Sequence, residues 1–244
     1  MKKQVFEKTL NWILEEIFGF PLNITLEEAR EKLAFDVELP QRVTDSLTKK
    51  PLWVVDQGEK FISESSVMKR VKKDDYLFQR QDLSGFNDVI KRWKSINALL
   101  GEKLTDSSDV LESDNIFEST AVYRSGYIFQ SNYIIFSYGL EKSEYCVASK
   151  QNTATQFSIR AFSSEKCVNC FEVFYSSQVR NSLFIHNSAD LSDCLFCSNL
   201  RSKRFCIANT QYEESQYKKM KAKILKEVAK RIKEKKLEPL LVGR

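Results

Sequence analysis

Serine returns at every sixth residue between 113 and 149. Ser113, Ser119, Ser125, Ser131, Ser137, Ser143 and Ser149 keep this step, and midway between them stand Ile116, Val122, Ile128, Ile134, Leu140 and Cys146. A helical face repeats near 3.6 residues and cannot hold such a register. A chain that turns a corner every six residues can: a short strand points its aliphatic centre inward, and a small residue fills each corner. Stacked coils then bury columns of like residues, as parallel β-helices do. Beyond 150 the clock reads as slipped by three. Ser164, Cys170, Ser176, Ser182, Ser188, Cys194 and Cys206 take the small position, with Leu200 as the exception, while Cys167, Val173, Val179, Ile185, Leu191 and Cys197 take the aliphatic one. With three hexads to a coil, residues 113–206 make about five coils.

The flanks read differently. Val5, Phe6, Leu10, Ile13, Leu14 and Ile17 share one face of a helix over 3–18, and Gly19 stops it. Thr25-Leu26-Glu27-Glu28 is a capping-box start for a second helix to about Ala34. Leu52–Asp56 and Lys60–Ser63 around Gln57-Gly58-Glu59 predict a hairpin. Phe86–Leu100, closed by Gly101, predicts an amphipathic helix. A last helix runs from about Glu213 to Lys236 on the stripe Tyr217, Met220, Ile224, Leu225, Val228, Ile232. The expected architecture is an α+β N-terminal domain (1–104), a parallel β-solenoid (105–212) entered through an acidic stretch, and a basic capping helix with its tail (213–244).

The chain of 244 residues is 42% hydrophobic and 29% charged, which excludes a disordered or collagen-like protein. No apolar run approaches the roughly 18 residues of a membrane span, so no membrane partner is expected. The N-terminus Met-Lys-Lys-Gln-Val-Phe-Glu-Lys turns amphipathic and acidic, so the chain reads as not secreted. Charge is uneven. Residues 218–236 hold ten Lys or Arg and two Glu, +8 against +5 for the whole chain, which leaves −3 for everything else. Lys218, Lys219, Lys223, Lys226, Lys230 and Arg231 on this helix support a nucleic-acid reading; the stripe beneath them supports a cap, which ranks first.

Catalytic signals are thin. Cys167-x-x-Cys170 and Cys194-x-x-Cys197 look like a zinc site, but all four fall on inward hexad positions, as do Cys146 and Cys206, so core filling is the simpler account and no metal or other cofactor is expected. His186, the only histidine, falls on an outward position. Hexapeptide acyltransferases also set a histidine on a trimeric solenoid, but their small residue and glycines fall elsewhere, so the likeness is architectural and an acyltransferase is the last-ranked reading. Asp106, Asp109, Glu112 and Asp114 lack the ligand alternation and central Gly of an EF-hand loop, so they read as a solvated linker. Outward aromatics are abundant. Tyr123, Tyr127, Phe129, Tyr133, Phe171, Phe174 and Phe184 are the expected partner-binding surface, shared between the chain's own helices and other chains.

The end of the repeat reads Cys194-Leu195-Phe196-Cys197-Ser198-Asn199-Leu200-Arg201-Ser202-Lys203-Arg204-Phe205-Cys206-Ile207-Ala208-Asn209-Thr210-Gln211-Tyr212. It resembles the closing segment, C-x-x-C-x-x-L-R-x-K-x-[YF]-C-I-x-N-x-x-Y, of Cys-rich β-solenoid proteins of uncultured bacteria and large tailed phages. The match is specific over about 190–220. The zinc ribbon common at the N-terminus of the bacterial members is missing, since no cysteine precedes 146. The family has no established reaction, so the resemblance carries over no catalytic residue. It implies a bacterial or phage origin and a structural role. The expected function is non-enzymatic: a virion-associated capsid or tail accessory protein of a tailed phage, in the virion or host cytoplasm, contacting other virion or assembly proteins or copies of itself.

Overall fold

The computed structural model describes residues 3–73, 77–80, 82–161 and 168–235. Its centre is a parallel β-solenoid of about eight turns over residues 104–207, in place of five. Coils pair at a step of twelve, two hexads and not three: Ile116 faces Ile128, Ile134 faces Cys146, and Val173 faces Ile185. One sheet collects strands such as Thr120–Tyr123, Asn132–Ile135 and Leu183–His186, and the other collects Asp114–Phe117, Gly126–Phe129 and Tyr138–Glu141.

The backbone repeat is shorter than the hexad. Among the described residues from Asp106 to Ala208, every third residue has positive φ. None of these is Val, Ile, Thr or Pro, because a branched Cβ is strained in the left-handed region and proline cannot enter it. The residue after each left-handed position points inward, so a coil has four inward places. Two hold aliphatics and two hold serines.

The serine columns are a hydrogen-bond ladder. Corner amides cannot join the sheets, and each instead donates to the serine hydroxyl one coil earlier: Ser131 to Ser119 at 3.0 Å, Ser143 to Ser131 at 3.0 Å, Ser149 to Ser137 at 3.1 Å. Each hydroxyl in turn donates to the carbonyl two residues back, as Ser125 does to Tyr123 at 2.9 Å. From Ser119 to Ser143 each buried hydroxyl thus accepts once and donates once, whereas the buried Ser158 hydroxyl, in the other column, has no partner among the described residues.

The slip after 150 does not exist. Ser158 pairs with Cys146 on one side and Cys170 on the other, so the step of twelve runs straight through. What changes is the content of the columns. The column of Ile116 to Cys146 continues as Asn152, Ser158, Cys170 and Ser176, and the serine column continues as Thr155, Ala161, Val173 and Val179. All four inward places have the same backbone shape, so aliphatics and serines exchange without an insertion.

Three helices cover the outer face of one sheet. α1 (Lys3–Phe18) and α2 (Leu26–Lys32) form as expected, the latter with Thr25 and Glu28 in a reciprocal capping box. Phe6, Leu10, Ile13 and Leu14 share a core with Tyr123, Ile135, Val147, Ile159, Phe171, Leu183 and Leu195, the outward column of that sheet. The long C-terminal helix (Glu214–Lys233) joins the same core through Tyr217, Leu225, Val228, Ala229 and Ile232, closing the last coils from the side. The final edge is finished by a hairpin, Ile207 pairing with Thr210, and by an exposed charged run at Arg201, Lys203 and Arg204, a composition that discourages edge pairing.

The rest of the N-terminal domain differs from expectation. β1 (Gln41–Thr44) pairs antiparallel with β2 (Pro51–Val54), while β3 (Phe61–Ser63) pairs parallel with β4 (Leu99–Gly101), so Leu52–Asp56 and Lys60–Ser63 are not partners. Buried Asp45 sets this arrangement: its carboxylate accepts from the amides of Leu47 and Thr48 in the β1–β2 turn and from Ser63 in β3. Burial opposes its charge, but these donors outweigh burial and hold its pKa well below the usual carboxylate range. Residues 64–73 form a helix not expected from sequence, α3 (Glu64–Lys73). α4 (Phe86–Ile96) ends before Leu99, which is claimed by β4. The domain abuts the first coils, where Gly126 packs on Val55 with no room for a Cβ.

Candidate interaction surfaces

The aromatic surface expected to meet partners is largely used internally. Tyr123 is buried and stacks on Phe6 at 5.1 Å, Phe171 is buried edge-on to Phe18 at 5.4 Å, and Phe184 is buried against Phe196 at 4.3 Å. Tyr123 and Phe171 thus fall to the chain's own α1, the internal part of the shared surface that was expected, and Phe184 packs within the solenoid's own ring column. Tyr127 is half-buried, its hydroxyl donating to Asp56 of the N-terminal domain. Phe174 is half-buried beside His186. Only Phe129 and Tyr133 stay near 40% exposed. Rings at successive left-handed positions stack along the axis, Tyr133 on Tyr145 at 4.7 Å and Tyr145 on Phe157 at 4.8 Å, with Trp12 edge-on to the last two.

The cysteines are core residues acting as serine equivalents. Cys146, Cys170, Cys194, Cys197 and Cys206 are all buried, and each thiol donates to the carbonyl two residues back, as the serines do. Cys167 lies outside the described residues. The contact with Cys197 and burial push the Cys194 thiol far up, so it stays protonated. Among the described residues no group of three or more His, Cys, Asp or Glu is placed to hold a metal ion.

His186 is half-buried, edge-on to Tyr175, and lines a small cavity of about 170 Å³ with Glu172, Phe174 and Cys197. Among the described residues its ring makes no hydrogen bond. The acidic stretch is not a linker: it is already coil. Asp114 is buried and accepts from the amides of Val55 and Lys103 at 3.1 and 3.0 Å, and Glu112 pairs with Lys3.

On the C-terminal helix Lys218, Lys219, Lys223, Lys226 and Lys230 are exposed and Arg231 is half-buried. Three of them are paired, Lys218 with Glu214, Lys230 with Glu234 and Arg231 with Glu227. Lys221, inward of this row, donates to the Asn181 carbonyl, and burial lowers its pKa.

Sequence reasoning missed a buried ion cluster. Arg160 holds Asp36 through two hydrogen bonds of 2.6 and 2.9 Å, donates to the Leu33 carbonyl at 2.7 Å, and pairs with buried Glu172. It ties the segment after α2 to the coil where the columns exchange. The signal was present: Arg160 and Glu172 are opposite charges one coil apart, in a column that runs Glu112, Arg124, Phe136, Ala148, Arg160, Glu172, Phe184, Phe196 and Ala208.

It also missed that α4 joins no core among the described residues. The helix is amphipathic, yet none of its residues is buried, and Phe86, Val89, Trp93 and Ile96 on one face are 42–76% exposed. Met68 and Val71 of α3 are exposed as well, and α3 and α4 share a cleft of about 320 Å³ lined by Val67, Phe78, Ile96 and Leu100. Comparison with protein-family models, curated proteins and solved structures finds no match to this chain.

Proposed function

We propose that the protein is a non-enzymatic assembly component, of the virion-accessory kind that the closing segment's resemblance implies, in which a rigid solenoid carries an α3–α4 docking surface for a partner protein. The observation that carries this reading is α4. A stripe at i, i+3, i+7 and i+10 is the pattern of a helix that packs, and its exposure leaves the packing to another chain. Exposed cations at Lys69, Lys72, Lys73, Lys91 and Lys94 border the patch, so the matching surface is apolar with a carboxylate rim. The same cations disfavour pairing of two copies through this face.

The test is the mass, by light scattering, of the species formed by the tagged protein in its native source, with wild type compared to Phe86→Glu and Trp93→Glu. The wild type forms a stoichiometric complex and the variants do not, although they melt normally. A wild-type monomer there sinks the reading. Nucleic-acid binding is the second reading, favoured by Lys219, Lys223 and Lys226, which have no carboxylate partner among the described residues; it requires binding that weakens steeply with salt.

A further inference from the structure

A cleft of about 890 Å³ opens where four parts of the chain meet: α2 and the segment after it, β1, the first coils, and the end of the C-terminal helix. Its size is that of a small-molecule site, and junctions between domains are where such sites form. Its cations are Arg30, Arg42, Arg124 and Lys235, against Glu31 and Glu38. Two of these cations are already neutralised, since Lys235 pairs with Glu31 and Arg30 with Glu27. Arg42 and Arg124 have neither an ion pair nor a side-chain hydrogen bond among the described residues.

Arg124 is the unusual one. Its guanidinium lies over the Trp53 ring, 5.3 Å from the centroid, and its Nε is sealed from solvent with no acceptor. The sealed Nε is out of a ligand's reach, so an oxyanion in the cleft meets the terminal nitrogens of the fork. The contact with the indole face restrains the guanidinium, so an incoming oxyanion meets a donor set that is already partly ordered. Arg42, exposed on β1, supplies a second fork.

From this arrangement we infer that the cleft binds a small phosphorylated ligand, with Arg124 and Arg42 each donating to phosphoryl oxygens. A phosphoryl group offers three terminal oxygens and more negative charge than a carboxylate, whose two oxygens are matched by a single fork, so it engages two forks more fully. This site is separate from α3–α4 and does not depend on the assembly reading.

The probe is inorganic pyrophosphate, titrated into the full chain by calorimetry, with citrate as the carboxylate comparison. Pyrophosphate binds at one site per chain, more tightly than citrate, and shifts the Trp53 emission, a shift that Trp53→Phe removes. Charge-assisted hydrogen bonds of about 1.5–3 kcal/mol predict roughly 10- to 100-fold weaker binding in Arg124→Gln and in Arg42→Gln. Lys223→Gln, on the C-terminal helix, leaves the affinity unchanged. Arg42 is on the surface, so its variant reports on binding even where Arg124→Gln folds poorly. No saturable heat, tighter binding of citrate, or equal weakening by Lys223→Gln overturns the inference, the last because it would mean diffuse attraction.

Discussion

Ser137 donates its backbone amide to the hydroxyl of Ser125, one coil earlier, at 3.0 Å, and its own hydroxyl donates to the Ile135 carbonyl at 2.9 Å. Repeated at each serine from Ser119 to Ser149, this pair of bonds explains the six-residue clock. The corner needs a side chain small enough for the interior that both accepts from the next coil and donates to its own. Serine meets all three conditions, and cysteine meets them more weakly.

Ser137→Ala therefore leaves the Ser149 amide without an acceptor and costs about 1–3 kcal/mol. Ser137→Cys costs less, since thiols already stand in the equivalent positions at Cys170 and Cys194. Urea unfolding of the two variants distinguishes them, and equal losses would mean that volume, not hydrogen bonding, selects serine.

Left-handed positions give a second test, free of packing. Gln178 is exposed with φ of 53°. Gln178→Val places a branched Cβ there and lowers stability by about 1–3 kcal/mol. Gln178→Gly is neutral or stabilising, although glycine is usually the more harmful residue in a strand. The ranking of their melting temperatures is the readout.

The Arg160 cluster predicts an acid response. Burial alone would raise the Asp36 pKa, but hydrogen bonds and charge from Arg160 outweigh it and leave the value lowered. A carboxylate lowered on folding adds stability above its unfolded pKa of about 3.9, and that stability is lost as pH falls through the folded value. Asp36→Asn is thus less stable at neutral pH and loses less than wild type on acidification below about pH 4. Arg160→Met removes the guanidinium that Asp36 and buried Glu172 share and costs about 3–5 kcal/mol. Denaturation across pH 2–7, interpreted on about that scale, checks both.

The fold was legible where one residue type repeats for a single local reason, as serine does. Coil length was not, because a hexad clock divides a coil of twelve or eighteen equally well. Arg160 and Glu172 at a separation of twelve would have decided it. The absence of Val, Ile, Thr and Pro from every third position was equally readable, but the six-residue repeat concealed a period of three. Exchange of aliphatic for serine columns looked like a slip because sequence shows side chains and not backbone shape. β3 and β4 join residues 61 and 99, a pairing that local patterns do not reveal. For α4 the stripe was clear, but whether anything covers it is a tertiary fact.

The exposed face of α4 is tested most directly by photo-crosslinking from three positions in the native source, with benzoylphenylalanine at Trp93, at Phe129 on the solenoid and at Lys219 on the C-terminal helix. The account predicts an adduct with one protein from position 93 and none from 129 or 219. No adduct at 93, with a nucleic-acid adduct at 219, would contradict it and move the function to the basic helix.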